Sequence, residues 1–296
     1  MNEPVGFIGL GNMGLPIAEN ILRAGFPLKI FNRTPSKASR LVSQGAKAVS
    51  SPAEVADHGE IVATMLSDDS VLEEICCGKD SFVERLGANG IHISMSTIAP
   101  TTAQRLAEQH AKYNVSYIAA PVFGRPEAVA SAQLAVCVSG PAAAKKRVAP
   151  ILAKISRATF DFGEDAGTAN VVKLCGNFLL AAAIEALAEA FTFAEKNGIA
   201  RKNAFEMLVQ TLFPTPVYQS YGKRIAEQSY ESAGFRLALG LKDIRLVLQT
   251  AAETPMPTAS LLRDRWLAAT AKGRGNLDWA AAALGVSEDA GIKIRV

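Results

Sequence analysis

Lys173 and Asn177 stand four positions apart in a stretch with almost no turn signal. A helix through that stretch turns both side chains to one side. Reducing a carbonyl needs a hydride donor at the carbon and a proton donor at the oxygen; the reverse reaction needs a base for the hydroxyl proton. A lysine serves both directions when burial or neighbouring positive charge brings its pKa toward neutrality. A lone lysine in an apolar helix is ordinarily a snorkelling side chain or half of an ion pair. The asparagine at helical spacing and the apolar residues on several faces favour chemistry here.

The second constellation is Gly9-Leu10-Gly11-Asn12-Met13-Gly14. It follows an apolar run and precedes a helical stretch. Gly9 permits a tight turn, Gly11 lets the backbone approach a pyrophosphate, and Gly14 lets helix and strand pack closely. The helix N-terminus attracts the negative charge. The spacing alone is weak, but its strand-turn-helix setting favours a dinucleotide cradle over a plain glycine-rich loop. At the end of the next strand the chain reads Asn32-Arg33-Thr34-Pro35-Ser36-Lys37, with no acid to hold a ribose 2′-hydroxyl. Arg33 suits stacking on adenine or forking onto a 2′-phosphate, with Asn32 beside it and Thr34, Ser36 and Lys37 as further donors. The plainer alternative is that Arg33 and Lys37 only solvate a helix start. NADP(H) is the expected cofactor.

The elements that must position these residues follow from hydrophobic periodicity. Strands are expected over 5–9, 27–31, 61–66, 91–95, 115–120 and 134–138, with helices over 13–24, 36–44 and 101–113. Strands alternating with helices imply a Rossmann-type doubly wound parallel sheet, an α/β domain over 1–162. From 163 to 296 the pattern is all-helical. It opens with a helix over 167–196 that stops at Asn197-Gly198 and, being about 45 Å long, bridges domains or subunits. Further helices are expected over 202–212, 239–252, 258–271 and 277–283. The long apolar helix has more faces than one small domain covers, so a homodimer or homotetramer is expected.

Composition removes other functions. A net charge of +3 without a basic run gives no reason to expect nucleic-acid binding. Four cysteines without CxxC spacing, and no secretory signal, suit reduced thiols in a cytoplasmic protein. His58, His92 and His110 lie far apart in the sequence without an i, i+4 companion, so no metal site is expected. The most apolar stretch, 178–187, is interrupted by Glu185 and closely followed by Glu189, which speaks against a membrane span.

The chain resembles the β-hydroxyacid dehydrogenases over nearly its whole length, in a branch similar to the glyoxylate/succinic semialdehyde reductases. The likeness rests on VGFIGLGNMGLPIAENILRAG near the N-terminus, MLSD at 65–68 and STIAP at 96–100. It continues with GEDAGTANVVKLCGN at 163–177 and LKD at 241–243. The resemblance implies that Met65 and Leu66 flank the cofactor, that Thr97 lies near its nicotinamide end, and that Lys242 closes over it from the second domain. Lys173 is then the acid/base, and Asn177 positions lysine and substrate. Asp243 is expected to orient Lys242 or to cap structure.

One motif departs from the family. Classical members read D-A-P-V-S-G-G where this chain reads Ala120-Pro121-Val122-Phe123-Gly124-Arg125-Pro126. Phe123 removes a hydroxyl that helps hold a substrate carboxylate, Gly124 keeps a backbone N–H, and Arg125 offers a new anion clamp or points to solvent. Phe178, Phe213, Tyr218, Phe235, Trp266 and Trp279 are expected mainly in the core. The preferred expectation is NADPH-dependent reduction of a small aldehyde or keto acid. Reduction of an imine, oxidation of a hydroxyacid with NAD, and a non-catalytic NADP-binding scaffold remain alternatives.

Overall fold

Short apolar runs decide the first half of the chain. In β1 (Val5–Ile8), β4 (Ile61–Thr64) and β5 (Ile91–Ser94) every residue is buried, as befits strands covered on both faces. With β2 (Leu28–Phe31), β3 (Lys47–Ala48) and β6 (Ser116–Ala119) they form one sheet in the order β3-β2-β1-β4-β5-β6, parallel throughout. That order reverses direction beside β1, where open α/β sheets bind ligands. Side chains alternate across the sheet. Phe7 joins the layer of Ile17, Ile21 and Ile30, while Ile8 joins Val62, Leu72, Phe82 and Leu106 on the other face.

The connecting helices are α1 (Gly14–Arg23), α2 (Ser39–Ser43), α3 (Asp69–Cys77), α4 (Val83–Leu86) and α5 (Pro100–Ala111). Proline at its first position opens α5. The helix expected over 36–44 is instead a 3-10 turn, Pro35–Ala38, followed by the short α2. A second sheet, β7 (Val122–Phe123), β8 (Leu134–Val138) and β9 (Ser156–Asp161), pairs β7 antiparallel and β9 parallel to β8. It carries α6 (Pro126–Ala130) and α7 (Ala142–Leu152), and is tied to the main sheet by an Ala119–Ser139 bridge.

The computed structural model describes residues 2–293, so residue 1 and residues 294–296 of the expected domains lie outside the described residues. It divides into two compact units, Met1–Lys173 and Leu174–Val296. The division falls inside the long helix α8 (Thr168–Lys196) rather than at its start, because the first turns of α8 are fastened to the sheet unit. The Ser139 hydroxyl accepts from Ala169 N–H at 3.3 Å and donates to Ala166 O at 3.2 Å.

The second unit is helical: the rest of α8, α9 (Arg201–Thr211), α10 (Pro216–Glu227), α11 (Leu237–Ala251), α12 (Pro257–Ala271) and α13 (Ala283–Asp289). The helix expected over 277–283 is displaced. Leu277 stays extended to pair with Leu237, and the buried Asp278 carboxylate caps Ala280 N–H, so a 3-10 turn precedes α13. Trp266 and Trp279 are core residues with ring centroids 5.7 Å apart, whereas Phe213 is exposed and stacks on Tyr218 at 4.8 Å. By length and composition α8 passes as a membrane span, a test that the expectation from 178–187 alone did not anticipate. Core helices pass the same test, and within this unit Arg265 Nε lies 2.5 Å from the buried carboxylate of Glu185.

Sequence separation misleads for the histidines. Cys76 on α3, His92 on β5 and His110 on α5 converge in one buried layer, with His92 Nδ1 2.9 Å from His110 Nε2. Burial holds both imidazoles in the neutral form, lowering the pKa of His110 to about 4.

Candidate active site

The glycine turn is built by close approaches of backbone. Gly9 has φ of +100°, and a Cβ there would lie 2.3 Å from Met65 O and 2.9 Å from Leu66 Cδ2. A Cβ on Gly14 would lie 1.9 Å from Gly9 O, so turn and helix meet only through glycine. Around Gly11 the opposite holds: nothing lies within 4 Å of a Cβ built there. Met65 and Leu66 therefore flank the turn. The N-terminus of α1 has no side-chain cap and no acid in its first turn, which suits it to an anion. These are the features a dinucleotide pyrophosphate requires, and the residues fit it.

Asn32 braces this cradle. Its Oδ1 accepts from Leu10 N–H at 2.8 Å, and its Nδ2 donates to Thr34 O at 2.9 Å. Asn12 and Met13 complete the turn, and Arg33, Thr34 and Lys37 follow β2 as exposed residues. Leu66 N–H donates to the buried Ser96 hydroxyl at 2.9 Å, and Thr97, half-buried, comes next at the C-terminal end of β5. Asp68 of MLSD caps α3 by accepting from Val71 N–H at 3.0 Å, while the next residue, Asp69, accepts from Ala99 N–H at 2.9 Å. The motif thus joins two loops beside the cradle. Asp68 and Asp69 have structural tasks that spacing alone did not reveal.

The second sheet brings Phe123 to Lys173. The Lys173 ammonium lies 4.1 Å from the centroid of the Phe123 ring, and the residue is only 8% exposed. An aromatic face at this distance attracts a cation, worth about 0.5–2 kcal/mol, and offsets part of the lost hydration. Cys137 on β8 also feels the lysine: burial pushes its thiol pKa up, and the Lys173 charge opposes that shift. Gly124 sits at φ of +146°, and a Cβ there would lie 2.4 Å from Leu134 Cδ2. The Arg125 side chain is 18% exposed, with Nε 3.9 Å from Glu127 Oε2, so it does not point freely to solvent.

In the second unit Asn177 is 2% exposed and donates from Nδ2 to Asp243 Oδ2 at 2.6 Å. Asp243 Oδ1 lies 3.0 Å from Lys242 Nζ. Asp243, half anticipated as the partner of Lys242, thus holds Asn177 as well. Lys173 and Asn177 lie four residues apart on the unbroken α8.

The family model for the NAD-binding domain of 6-phosphogluconate dehydrogenase matches residues 4–163. The model for the NAD-binding domain of NADP-dependent 3-hydroxyisobutyrate dehydrogenase matches residues 167–285. An uncharacterized oxidoreductase of Bacillus subtilis is 45% identical over 279 residues, covering 94% of this chain and 97% of its own. The 3-hydroxyisobutyrate dehydrogenase of Pseudomonas aeruginosa is 32% identical over 269 residues, 88% of this chain and 90% of its own. The structure of 3-hydroxyisobutyrate dehydrogenase from Mycobacterium tuberculosis, solved with L-serine, matches at a TM-score of 0.84 and 28% identity, covering 96% of this chain and 99% of that one.

Proposed function

The chain belongs to the β-hydroxyacid dehydrogenase family of nicotinamide-dependent oxidoreductases, and from that premise we propose that it is an NADP(H)-dependent reductase of small aldehydes or keto acids. The nicotinamide supplies the hydride equivalent when bound. The observation that carries the reading is the buried Lys173 ammonium over the Phe123 ring.

Lys173 moves the proton. In reduction its Nζ–H is donated to the substrate oxygen as the carbon gains hydride; in oxidation the neutral amine takes the hydroxyl proton. Position matters as much as acidity. The ammonium is carried on a helix fastened through Ser139 and rests against an aromatic face, which fixes its direction. Asn177, held by Asp243, is the positioning residue one helical turn on. The Gly124 N–H and the Arg125 guanidinium serve an anionic end of the substrate, in place of the hydroxyl that Phe123 lacks.

Preference for NADP(H) rests on Arg33, Thr34 and Lys37, exposed after β2 with no acid among 32–37. A guanidinium on a phosphate is a strong, two-pronged contact. The test is initial-rate reduction of glyoxylate and succinic semialdehyde with NADPH and NADH, on wild type and Arg33→Ala. The reading expects NADPH to be preferred by wild type and the preference to fall about tenfold or more in the variant. Equal use of both cofactors by wild type overturns it.

A second reading is favoured by Phe123 itself. An aromatic wall beside the proton donor suits a substrate without a carboxylate, and a cyclic imine is such a substrate. NADPH oxidation faster with a cyclic imine than with either carbonyl acid selects that reading.

A further inference from the structure

On the face of the main sheet covered by α3 and α5, three buried side chains with metal-binding atoms meet. Cys76, His92 and His110 each offer one ligand atom, and these atoms all lie within 4.8 Å of one another. The His92 and His110 ring planes are within 17° of each other with centroids 4.9 Å apart, and Tyr117 packs edge-on to both at 5.2 Å. Cys76 Sγ is 3.9 Å from His92 Nδ1.

The hydrogen bonds fix the tautomers. His110 Nδ1–H donates to Leu106 O at 2.6 Å, so its Nε2 is the acceptor for His92 Nδ1–H at 2.9 Å. His92 Nε2 then accepts from the Thr64 hydroxyl at 2.9 Å. Each imidazole therefore has one nitrogen turned into the cluster and the other against a polar partner outside it. Metal-bound histidines have that arrangement, the outer partner setting the tautomer and the ring orientation.

We propose that Cys76, His92 and His110 bind one soft monovalent cation, copper(I), through one thiolate and two imidazole nitrogens. Softness selects the metal class, since thiolate and imidazole ligands suit copper(I). Charge selects the oxidation state. A thiolate and a monovalent cation sum to zero, whereas a divalent ion would leave one uncompensated charge among fully buried side chains. On loading, the Cys76 S–H bond breaks and its proton leaves to solvent as the S–Cu bond forms; nothing is oxidised or reduced. His92 shifts its proton from Nδ1 to Nε2 and donates to Thr64 Oγ1, while His110 keeps its bond to Leu106 O.

Two of the three spacings are near what the ion requires, and the third, within 4.8 Å, closes by up to about 1 Å on loading. Two nitrogens each about 2.0 Å from a metal and 120° apart are roughly 3.5 Å from each other, so the 2.9 Å pair opens slightly. The sulfur-nitrogen distance of 3.9 Å is already near the roughly 3.7 Å of a trigonal site. The three ligands come from a strand and two helices of one sheet unit, which fixes their directions.

The test uses the full chain carrying Cys77→Ser and Cys175→Ser, which removes the two exposed thiols. Copper(I) is supplied anaerobically as its acetonitrile complex and competed with bicinchoninate. One equivalent is expected to be retained, and X-ray absorption is expected to show one sulfur and two imidazole nitrogens around it. Adding Cys76→Ser is expected to abolish the retention. No retained copper, a sulfur-only shell, undiminished retention in a folded Cys76→Ser protein, or stronger retention of zinc(II) than of copper(I) each overturns the proposal. Should Cys76→Ser fail to fold, the absorption spectrum of the parent protein decides alone.

Discussion

The amide of Asn177 donates a 2.6 Å hydrogen bond to Asp243, whose other carboxylate oxygen lies 3.0 Å from Lys242 Nζ. A single buried carboxylate thus joins α8 to α11 and fixes two residues that the family resemblance ties to catalysis and cofactor. Asp243→Ala leaves a buried amide donor and an ammonium without that acceptor. A loss of about 3 kcal/mol in urea denaturation is expected, since breaking a buried charged pair from one side costs about that much. Asp243→Asn, which keeps the shape and one oxygen, should lose less than half as much. Equal losses would show that the charge, not the shape or the remaining oxygen, carries the stabilisation.

Two glycines of the cradle should separate folding from binding. A Cβ at Gly14 collides with Gly9 O, whereas a Cβ at Gly11 meets nothing. Gly14→Ala is expected to cost about 1–3 kcal/mol of stability through backbone shifts. Gly11→Ala should leave stability within about 0.5 kcal/mol but weaken NADPH binding about tenfold, equivalent to about 1.4 kcal/mol. Thermal melts with and without NADPH read both effects. A Gly11→Ala protein that binds as wild type would remove the pyrophosphate from this turn.

Much of this was legible in the sequence, for identifiable reasons. The strands β1, β4 and β5 show as consecutive apolar residues because both faces are covered, and Gly9, Gly11 and Gly14 carry their own spacing signal. Lys173 and Asn177 were visible through helical periodicity. Phe123 was visible only as a departure from the family pattern, and its contact with Lys173 depends on β7, a two-residue strand too short to leave a periodic trace. The Cys76–His92–His110 cluster was missed because its members come from three elements. Helix α10 was missed because Pro216, which opens it at its first position, reads as a break between helices.

Glu288 should make stability depend on pH at the acid end. Hydrogen bonds from Arg274 and then Lys272 lower its pKa from 4.5 to about 2. Such a carboxylate contributes stability above its unfolded value and loses it as pH falls through its folded value. The side chain is 26% exposed, so solvent screening reduces the contribution to about 1 kcal/mol. Glu288→Gln is expected to be less stable than wild type by that amount at neutral pH. The gap should narrow below pH 4.5 and close near pH 2. A gap independent of pH would assign the loss to packing.

Phe123 should govern which substrates are accepted. Phe123→Ser removes the aromatic face 4.1 Å from Lys173 and restores a hydroxyl donor. Because a hydrogen bond to a charged group is worth about 1.5–3 kcal/mol, kcat/KM for a carboxylate-bearing aldehyde should rise about tenfold or more relative to an uncharged aldehyde. An unchanged ratio would place the carboxylate elsewhere.

Proton transfer by Lys173 is most directly tested by single-turnover reduction with bound NADPH in Lys173→Met, which keeps the length and apolar bulk of the side chain. The rate is expected to fall by about 10²–10⁴, the usual contribution of a positioned acid, while NADPH affinity and melting temperature stay near those of wild type. A rate within a few-fold of wild type, in a protein that folds and binds NADPH normally, would contradict the assignment of Lys173 as the group that moves the proton.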